Sequence, residues 1–391
     1  MTLDVLALSS DVRAMSIMLR DNLRQFPDRV ELARQLLREQ AADWEFWQQA
    51  VEEETAHSPF LLAKPLEPMD LSHDLPLCPE AYTVAASDGS QIDVDYHGNA
   101  VCYIVNVGTV VIQYGPQPAF RAGSRPTLGY LPHELTIQDP KTGREYAVEG
   151  AVLAAERDLR EGLALAEVAL SLPEELPRLA IQDGTLIRWS LQGLDSFLQN
   201  RFLGDYLSYL ETMHALPCPV VSYMSQPRSP EVTGLVRLLH VRGDVRSWRQ
   251  RYPQRIDDPF YGIVDHQFFA DTLMEGQRSA LFASQSQINV NFYGVHLIHF
   301  FYLKIGREVA RVEFPAWVAE GGQLDLVHAL VYDQARRGMG YPTVVQRAHE
   351  QAVIHDDDRR YLQTLIERLL VQADIPLQTT AKAASKLHPR V

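Results

Sequence analysis

The order of patterned segments predicts an α/β protein with a mixed sheet flanked by helices. Three observations point there. Residues 82–114 alternate or run rich in Val, Ile and Tyr, which reads as a meander of about three strands. A long run of strong helix formers follows at 151–172. Two short apolar strands come next, at 179–186 and 219–224, with a helical stretch at 191–215 between them.

Taken in order, residues 1–63 read as an N-terminal helical arm. Met15, Met18, Leu19 and Leu23 recur at helical spacing, then Val30, Leu32, Leu36 and Leu37, then Trp44, Phe46 and Trp47. The apolar face of this arm needs a partner, either the main domain or another subunit. Residues 64–80 are proline-spaced and read as a linker, and 81–375 form the main domain. Within it Ile92-Asp93-Val94-Asp95-Tyr96 alternates as a strand, His97-Gly98-Asn99 turns, and 115–148 reads as irregular. The helix at 151–172 carries Glu156, Arg157, Arg160, Glu161 and Glu167, and Pro173 and Pro177 bracket the break after it. The C-terminal part adds β/α elements: strands at 288–293, 299–303 and 308–315, then helices at about 322–338, 342–355 and 358–372. Residues 376–391, with Lys382, Lys386 and Arg390, read as a flexible basic tail.

Composition bounds the function. The chain has 391 residues and 46% hydrophobic content, enough for a substantial core. Its three cysteines, Cys78, Cys102 and Cys218, form no CxxC and no zinc spacing, which suits a reducing cytoplasm. The N-terminal residues show no basic stretch followed by an apolar one, so no secretion signal is expected. No apolar run approaches the ~20 residues that cross a bilayer. A net charge of −14 argues against indiscriminate coating of nucleic acid. Positive charge is instead concentrated at Arg237, Arg242, Arg246, Arg249, Arg251 and Arg255, with His240, Trp248 and Tyr252 among them. That interleaving suits a phosphate backbone and unstacked bases, and equally a solvated basic surface.

Two Asp-Gly pairs hold the most chemistry. Asp88-Gly89 follows Val84-Ala85-Ala86, and Asp183-Gly184 follows Leu179-Ala180-Ile181. Each apolar strand delivers a carboxylate, and glycine allows a sharp turn or a close approach. Two strand-borne aspartates with an acidic helix between them suit hard divalent cations such as Mn²⁺ or Mg²⁺. Read singly, an Asp-Gly pair also fits an ordinary surface turn. Glu156 and Glu161, spaced i, i+5, are the helix candidates for a third ligand, or surface charges paired with Arg157 and Arg160. Tyr341 and His349 form a second constellation in Gly340-Tyr341-Pro342 and Ala348-His349-Glu350, where Pro342 suits the first turn of a helix. His349 reads either as a structural histidine or as a phosphate contact, proton carrier or metal ligand. The sequence holds no GxxxxGK[ST] phosphate loop, no GxGxxG after a strand and no GxSxG elbow. It also lacks a zincin, because position 353 is Val353.

These pieces, in this order, resemble the NurA nuclease family. The resemblance covers about residues 80–360. It rests on Ser87-Asp88-Gly89-Ser90-Gln91, Asn106-Val107-Gly108, Asp183-Gly184-Thr185-Leu186-Ile187-Arg188-Trp189, Tyr223-Met224-Ser225, Phe300-Phe301-Tyr302-Leu303-Lys304 and Arg311-Val312-Glu313-Phe314-Pro315, and on the Tyr341 and His349 segments. It implies an RNase H-like core, to which the strand-strand-strand-helix-strand order independently conforms. It further implies a Mn²⁺-dependent 5′-to-3′ exonuclease with single-strand endonuclease activity, using two ions. The partners it implies are single-stranded DNA and duplex ends, a second copy of the chain, and a HerA-type hexameric ATPase in DNA-end resection. On this sequence the implied metal ligands are Asp88, Asp183 and a helix glutamate, with Glu161 preferred over Glu156. Tyr341 and His349 match the C-terminal site residues, and Arg237, Arg242, Arg246, Arg249 and Arg251 would guide the strand. Two other readings stay open: a non-catalytic adaptor of a DNA motor, and an RNase H-like nuclease that prefers RNA or hybrids.

Overall fold

The computed structural model describes residues 5–96 and 98–377. His97 of the expected turn, and Lys382, Lys386 and Arg390 of the expected tail, lie outside the described residues. The chain forms two compact units, one drawn from residues 77–223 and from 317 onward, the other from residues up to 76 and 224–316.

The first unit is built on a five-stranded sheet. Strands β1 (Tyr82–Ile92), β2 (Tyr103–Tyr114) and β3 (Ala119–Gly129) form an antiparallel meander. Helix α1 (Gly150–Leu170) then leads to β4 (Arg178–Asp183), parallel to β1, and α2 (Ser196–Ala215) leads to β5 (Val220–Met224), parallel to β4. The resulting order β3-β2-β1-β4-β5 is the RNase H-like arrangement expected from the sequence. Helices α3 (Leu324–Arg337), α4 (Thr343–Ala352) and α5 (Asp356–Gln372) complete the unit.

Burial explains the composition of these strands. Val84, Ala85 and Ala86 of β1, and Leu179, Ala180 and Ile181 of β4, are all fully buried. Successive residues point to opposite faces, so both faces of these strands are covered, and the sequence reads as an apolar run rather than an alternation. On β1 the two faces can be told apart by partner. Ser87 Oγ donates to the Glu161 carbonyl on α1 (2.8 Å), whereas Ser90 Oγ donates to the Ala352 carbonyl on α4. Helix α1 buries Leu153, Leu159, Leu165 and Ala169 on its inner face. At Gly162 it comes so close to α2 that a Cβ would lie 3.0 Å from the Tyr209 ring. Asp195 starts α2 by accepting the Phe197 N–H at 3.1 Å.

Two local expectations for this unit are corrected. Residues 93–96 are not a strand: Asp93 Oδ1 instead accepts the Gly150 N–H at the start of α1 (2.9 Å). The third strand of the meander lies inside the stretch read as irregular. Its Arg121, Ser124, Arg125 and Pro126 are residues that an outermost strand tolerates, because such a strand needs neither two apolar faces nor every N–H in a ladder.

The second unit carries an antiparallel ladder in the order Ala63–Pro65, Phe282–Ser284, Ile298–Ile305, Glu308–Pro315. Helices Ser9–Glu39, Trp44–Glu54 and Glu231–His240 accompany it, and its core includes Trp47, Val51, Phe260, Phe268, Phe282, Phe300 and Tyr302. The proline-spaced stretch read as a linker supplies two short strands, Ala63–Pro65 and Ser72–His73. The strand expected at 288–293 is a helix, Gln287–Phe292, started by Ser286 Oγ accepting from the Asn289 N–H.

Candidate active site

The β1–β4 register runs from Thr83 opposite Arg178 to Ser87 opposite Gln182. Asp88 and Asp183 each follow the last paired residue of that ladder, and on the other side Asp183 stands opposite Tyr223 of β5. Asp88, Asp183 and Tyr223 therefore continue one row across three parallel strands, and the charges of both aspartates act on Tyr341. The two Asp-Gly pairs differ in kind. Gly184 ends β4 in a left-handed turn (φ 75°), and its N–H donates to Asp183 Oδ1 at 2.9 Å. Asp88-Gly89 is not a turn; both residues lie within β1, opposite Gly108 and Val107.

One face of this row meets α4 and the connection before it. His349 Nδ1 donates to Asp88 Oδ2 at 2.7 Å, with Asp88 largely buried and the His349 side chain 65% exposed. The approach depends on Gly108. A Cβ there would lie 2.5 Å from the Ala348 carbonyl oxygen and 2.6 Å from the Ala352 nitrogen, so α4 rests on the bare backbone of β2. The Tyr341 phenol lies at the Asp183 carboxylate. Burial is the main reason its phenol is pushed far above the usual tyrosine range; the hydrogen bond to Asp183 adds to it, and so do the charges of Asp183 and Asp88. Tyr341 is thus a donor at any physiological pH. Tyr223 Oη donates to the Gly340 carbonyl at 2.8 Å, and its ring meets that of Tyr341 edge-on at 5.7 Å.

From the other face α1 brings Glu161. Gly89 admits it: a Cβ at this position would lie 2.4 Å from Glu161 Oε1. Burial pushes the Glu161 carboxyl up to about 8, and the Asp158 charge adds to the rise. Arg157 opposes it, Asp88 raises it further, and Arg188 opposes it again. Arg157 Nε lies 3.1 Å from Glu161 Oε1. Asp158 binds Arg157 through Oδ1 (2.8 Å) and Arg188 through Oδ2 (3.3 Å). The Arg188 guanidinium also donates to Tyr206 Oη (3.1 Å) and lies 4.3 Å from the centre of that ring. The site thus assembles Asp88, Asp183, Glu161, Tyr341 and His349, with Asp158 committed to two arginines. Asp88, Asp183 and Glu161 offer oxygen donors of the kind a hard divalent cation takes, and their ligand atoms are not all within 4.8 Å of one another.

Glu156 does not join them. Five residues turn a helix by about 140° beyond a full turn, so i, i+5 is not one side of α1. Glu156 pairs instead with Arg160 at 2.9 Å. One member of the arginine run is not a surface residue. Arg237 is largely buried and paired with Asp258 at 2.8 Å. Trp248 lies in the core of the second unit, 4.5 Å from the Tyr252 ring, and His240 binds Tyr252 Oη at 2.8 Å. These aromatics serve packing rather than base stacking. Arg242, Arg246, Arg249, Arg251 and Arg255 are exposed.

Asp158, Arg188, Gly108 and Tyr223 were not marked as site residues by sequence reasoning. Asp158 gave one usable signal, its i, i+3 spacing to Glu161; Arg188, Gly108 and Tyr223 stand inside segments that carry the family resemblance.

Among the described residues no helix is long and apolar enough to cross a membrane. No curated protein matches the chain. The NurA domain model matches residues 82–354, which span all five strands of the sheet and every residue of the assembled site. The chain belongs to the NurA family.

Proposed function

We propose that this protein is a metal-dependent deoxyribonuclease. NurA proteins are nuclease-related, and the observation that carries the specific reading is that Asp88 and Asp183 each come directly after the last paired residue of two neighbouring parallel strands. The all-oxygen set of Asp88, Asp183 and Glu161 fits Mn²⁺ or Mg²⁺. Burial is what raises the Glu161 pKa, with the charges of Asp158 and Asp88 adding to it, and a cation bound beside these carboxylates would offset that cost. Bound there, a pair of such ions would lower the pKa of a water and stabilise the leaving oxygen of a phosphodiester. The protein's own groups then have separate tasks. Tyr341 orients the Asp183 carboxylate by donating to it. His349 orients Asp88 through Nδ1, and its exposed ring leaves Nε2 able to meet a phosphate oxygen. Arg157 balances the buried negative charge around Glu161.

The full proposal is a 5′-to-3′ exonuclease and single-strand endonuclease of the cytoplasm. It would act on DNA ends as a homodimer, together with a HerA-type hexameric ATPase in break resection. Family membership supports the substrate and the motor. The exposed apolar residues Val5, Leu8, Val12, Met15 and Leu19 of the arm support self-association.

Labelled single-stranded and duplex DNA, incubated with Mn²⁺ or with EDTA, tests the reading. Asp88→Asn and Asp183→Asn should each abolish cleavage while DNA binding persists. Normal cutting by either variant in Mn²⁺ would overturn it. Binding of DNA without cleavage by the wild type would favour an adaptor, and matched RNA and hybrid strands decide the substrate class.

A further inference from the structure

We propose that Tyr223 is a positioning residue of this site: its hydroxyl holds the Gly340 carbonyl and thereby sets the Tyr341 phenol on Asp183. The inference rests on the nuclease reading above for its kinetic consequence, and on geometry alone for the rest.

The connection from α3 to α4, residues 338–342, is unusually tight. Met339 and Gly340 are both left-handed (φ 57° and 112°). A Cβ at Gly338 would lie 1.8 Å from the Tyr341 carbonyl oxygen, so the chain folds back on itself there. The Gly340 N–H donates to Ala335 O at 2.8 Å, which ties the turn to the end of α3. The Gly340 carbonyl is taken from the sheet side by Tyr223 Oη. Tyr223 is fully buried, and in the β4–β5 ladder it stands opposite Asp183. One residue therefore touches both halves of the Asp183–Tyr341 contact, being strand neighbour of the acceptor and anchor of the peptide preceding the donor. Its ring adds an edge-on contact to the Tyr341 ring. With Oη already engaged on a backbone carbonyl, Tyr223 has no place at the reacting phosphate. Its effect passes through Tyr341.

Tyr223→Phe keeps the ring and removes the anchor. Turnover on a labelled oligonucleotide should fall about tenfold, roughly the value of one well-placed hydrogen bond, while KM stays within about twofold. The Tyr341 ring resonance in ¹³C-tyrosine spectra, assigned with Tyr341→Phe, should move. Tyr209→Phe is the control: it removes another buried tyrosine hydroxyl, bound to Gln182 Oε1 at 3.2 Å, and should leave turnover and the Tyr341 resonance unchanged. In the double variant Tyr223→Phe/Tyr341→Phe the loss should be no greater than in Tyr341→Phe alone. Additive losses, or an unmoved Tyr341 resonance in Tyr223→Phe, would overturn the proposal. A wild type that shows no cleavage with Mn²⁺, while the resonance still moves, would sink the nuclease reading and support the positioning geometry.

Discussion

Gly108 stands opposite Asp88 across the β1–β2 ladder, and the helix bearing His349 rests on its bare Cα. A side chain here would meet backbone atoms of α4, which cannot rotate away. Gly108→Ala should therefore push α4 outward, cost on the order of 2 kcal/mol of stability, and break the His349–Asp88 contact. Gly89→Ala is the informative contrast. Its Cβ would lie 2.4 Å from Glu161 Oε1 and 2.9 Å from Cγ of both Arg157 and Glu161, side-chain atoms that can shift where backbone cannot. Thermal unfolding should register Gly108→Ala more strongly than Gly89→Ala, while both lose cleavage. Equal destabilisation by the two would refute this division.

The two helix glutamates make a second test. Glu161 lies against Gly89 and feels Asp88, while Glu156 is held by Arg160. Glu161→Gln should weaken Mn²⁺ binding by calorimetry and reduce cleavage at least about a hundredfold, the scale expected when a metal ligand is lost. Glu156→Gln should leave both within about threefold, since it gives up one partly exposed ion pair. The reverse ranking would reassign the ligand.

How far the sequence revealed this site follows from where each residue sits. Asp88 and Asp183 were legible because each ends an apolar run short enough to be only a buried strand, and local pattern reports that well. The α1 helix was legible from its composition. The residues' own pattern left Glu161 and Glu156 open and only the family resemblance preferred Glu161, because the choice is made by the close approach at Gly89, a contact between residues 72 positions apart. Strand β3 was hidden because an outermost strand obeys weaker compositional rules than a central one. Asp158 and Arg188 were hidden because their pairing depends on the path of the chain after β4. Arg237 misled for a similar reason: its carboxylate partner, Asp258, lies 21 residues further on.

Arg237 and the exposed arginines that follow it should therefore separate in experiment. Arg237→Ala leaves Asp258 buried without its guanidinium, a defect that costs about 3 kcal/mol when a buried pair is broken. It should lower the unfolding midpoint and leave the salt dependence of DNA binding unchanged. Arg246→Glu with Arg249→Glu should do the opposite if this surface meets phosphates, flattening the salt slope without loss of stability. An unchanged slope in the double variant would remove this surface from the DNA path.

The arm offers a direct test of self-association. Val12 and Met15, 52% and 50% exposed, are large apolar residues on a helix that leaves them to solvent. Val12→Glu/Met15→Glu should fold normally and sediment as a 44.2 kDa monomer where the wild type sediments at twice that mass. A double variant that stays dimeric would place the interface elsewhere.

His299 gives the second unit a pH-dependent weakness. It lies on the Ile298–Ile305 strand opposite Ala283, which in turn stands opposite Lys64. Burial, with the Lys64 charge adding to it, lowers its pKa to about 4, and its Nδ1 has no hydrogen-bond partner among the described residues. The folded protein therefore keeps this imidazole neutral, whereas the unfolded chain takes up a proton near pH 6.5. Acidification then favours the unfolded state. The stability is fully present above about 6.5 and is lost as pH falls toward 4, by on the order of 2 kcal/mol from this residue. In His299→Gln, which has no proton to gain, the unfolding midpoint should fall less between pH 7 and pH 5 than in the wild type. Parallel pH profiles for the two would show that His299 is protonated in the folded protein or exposed to water.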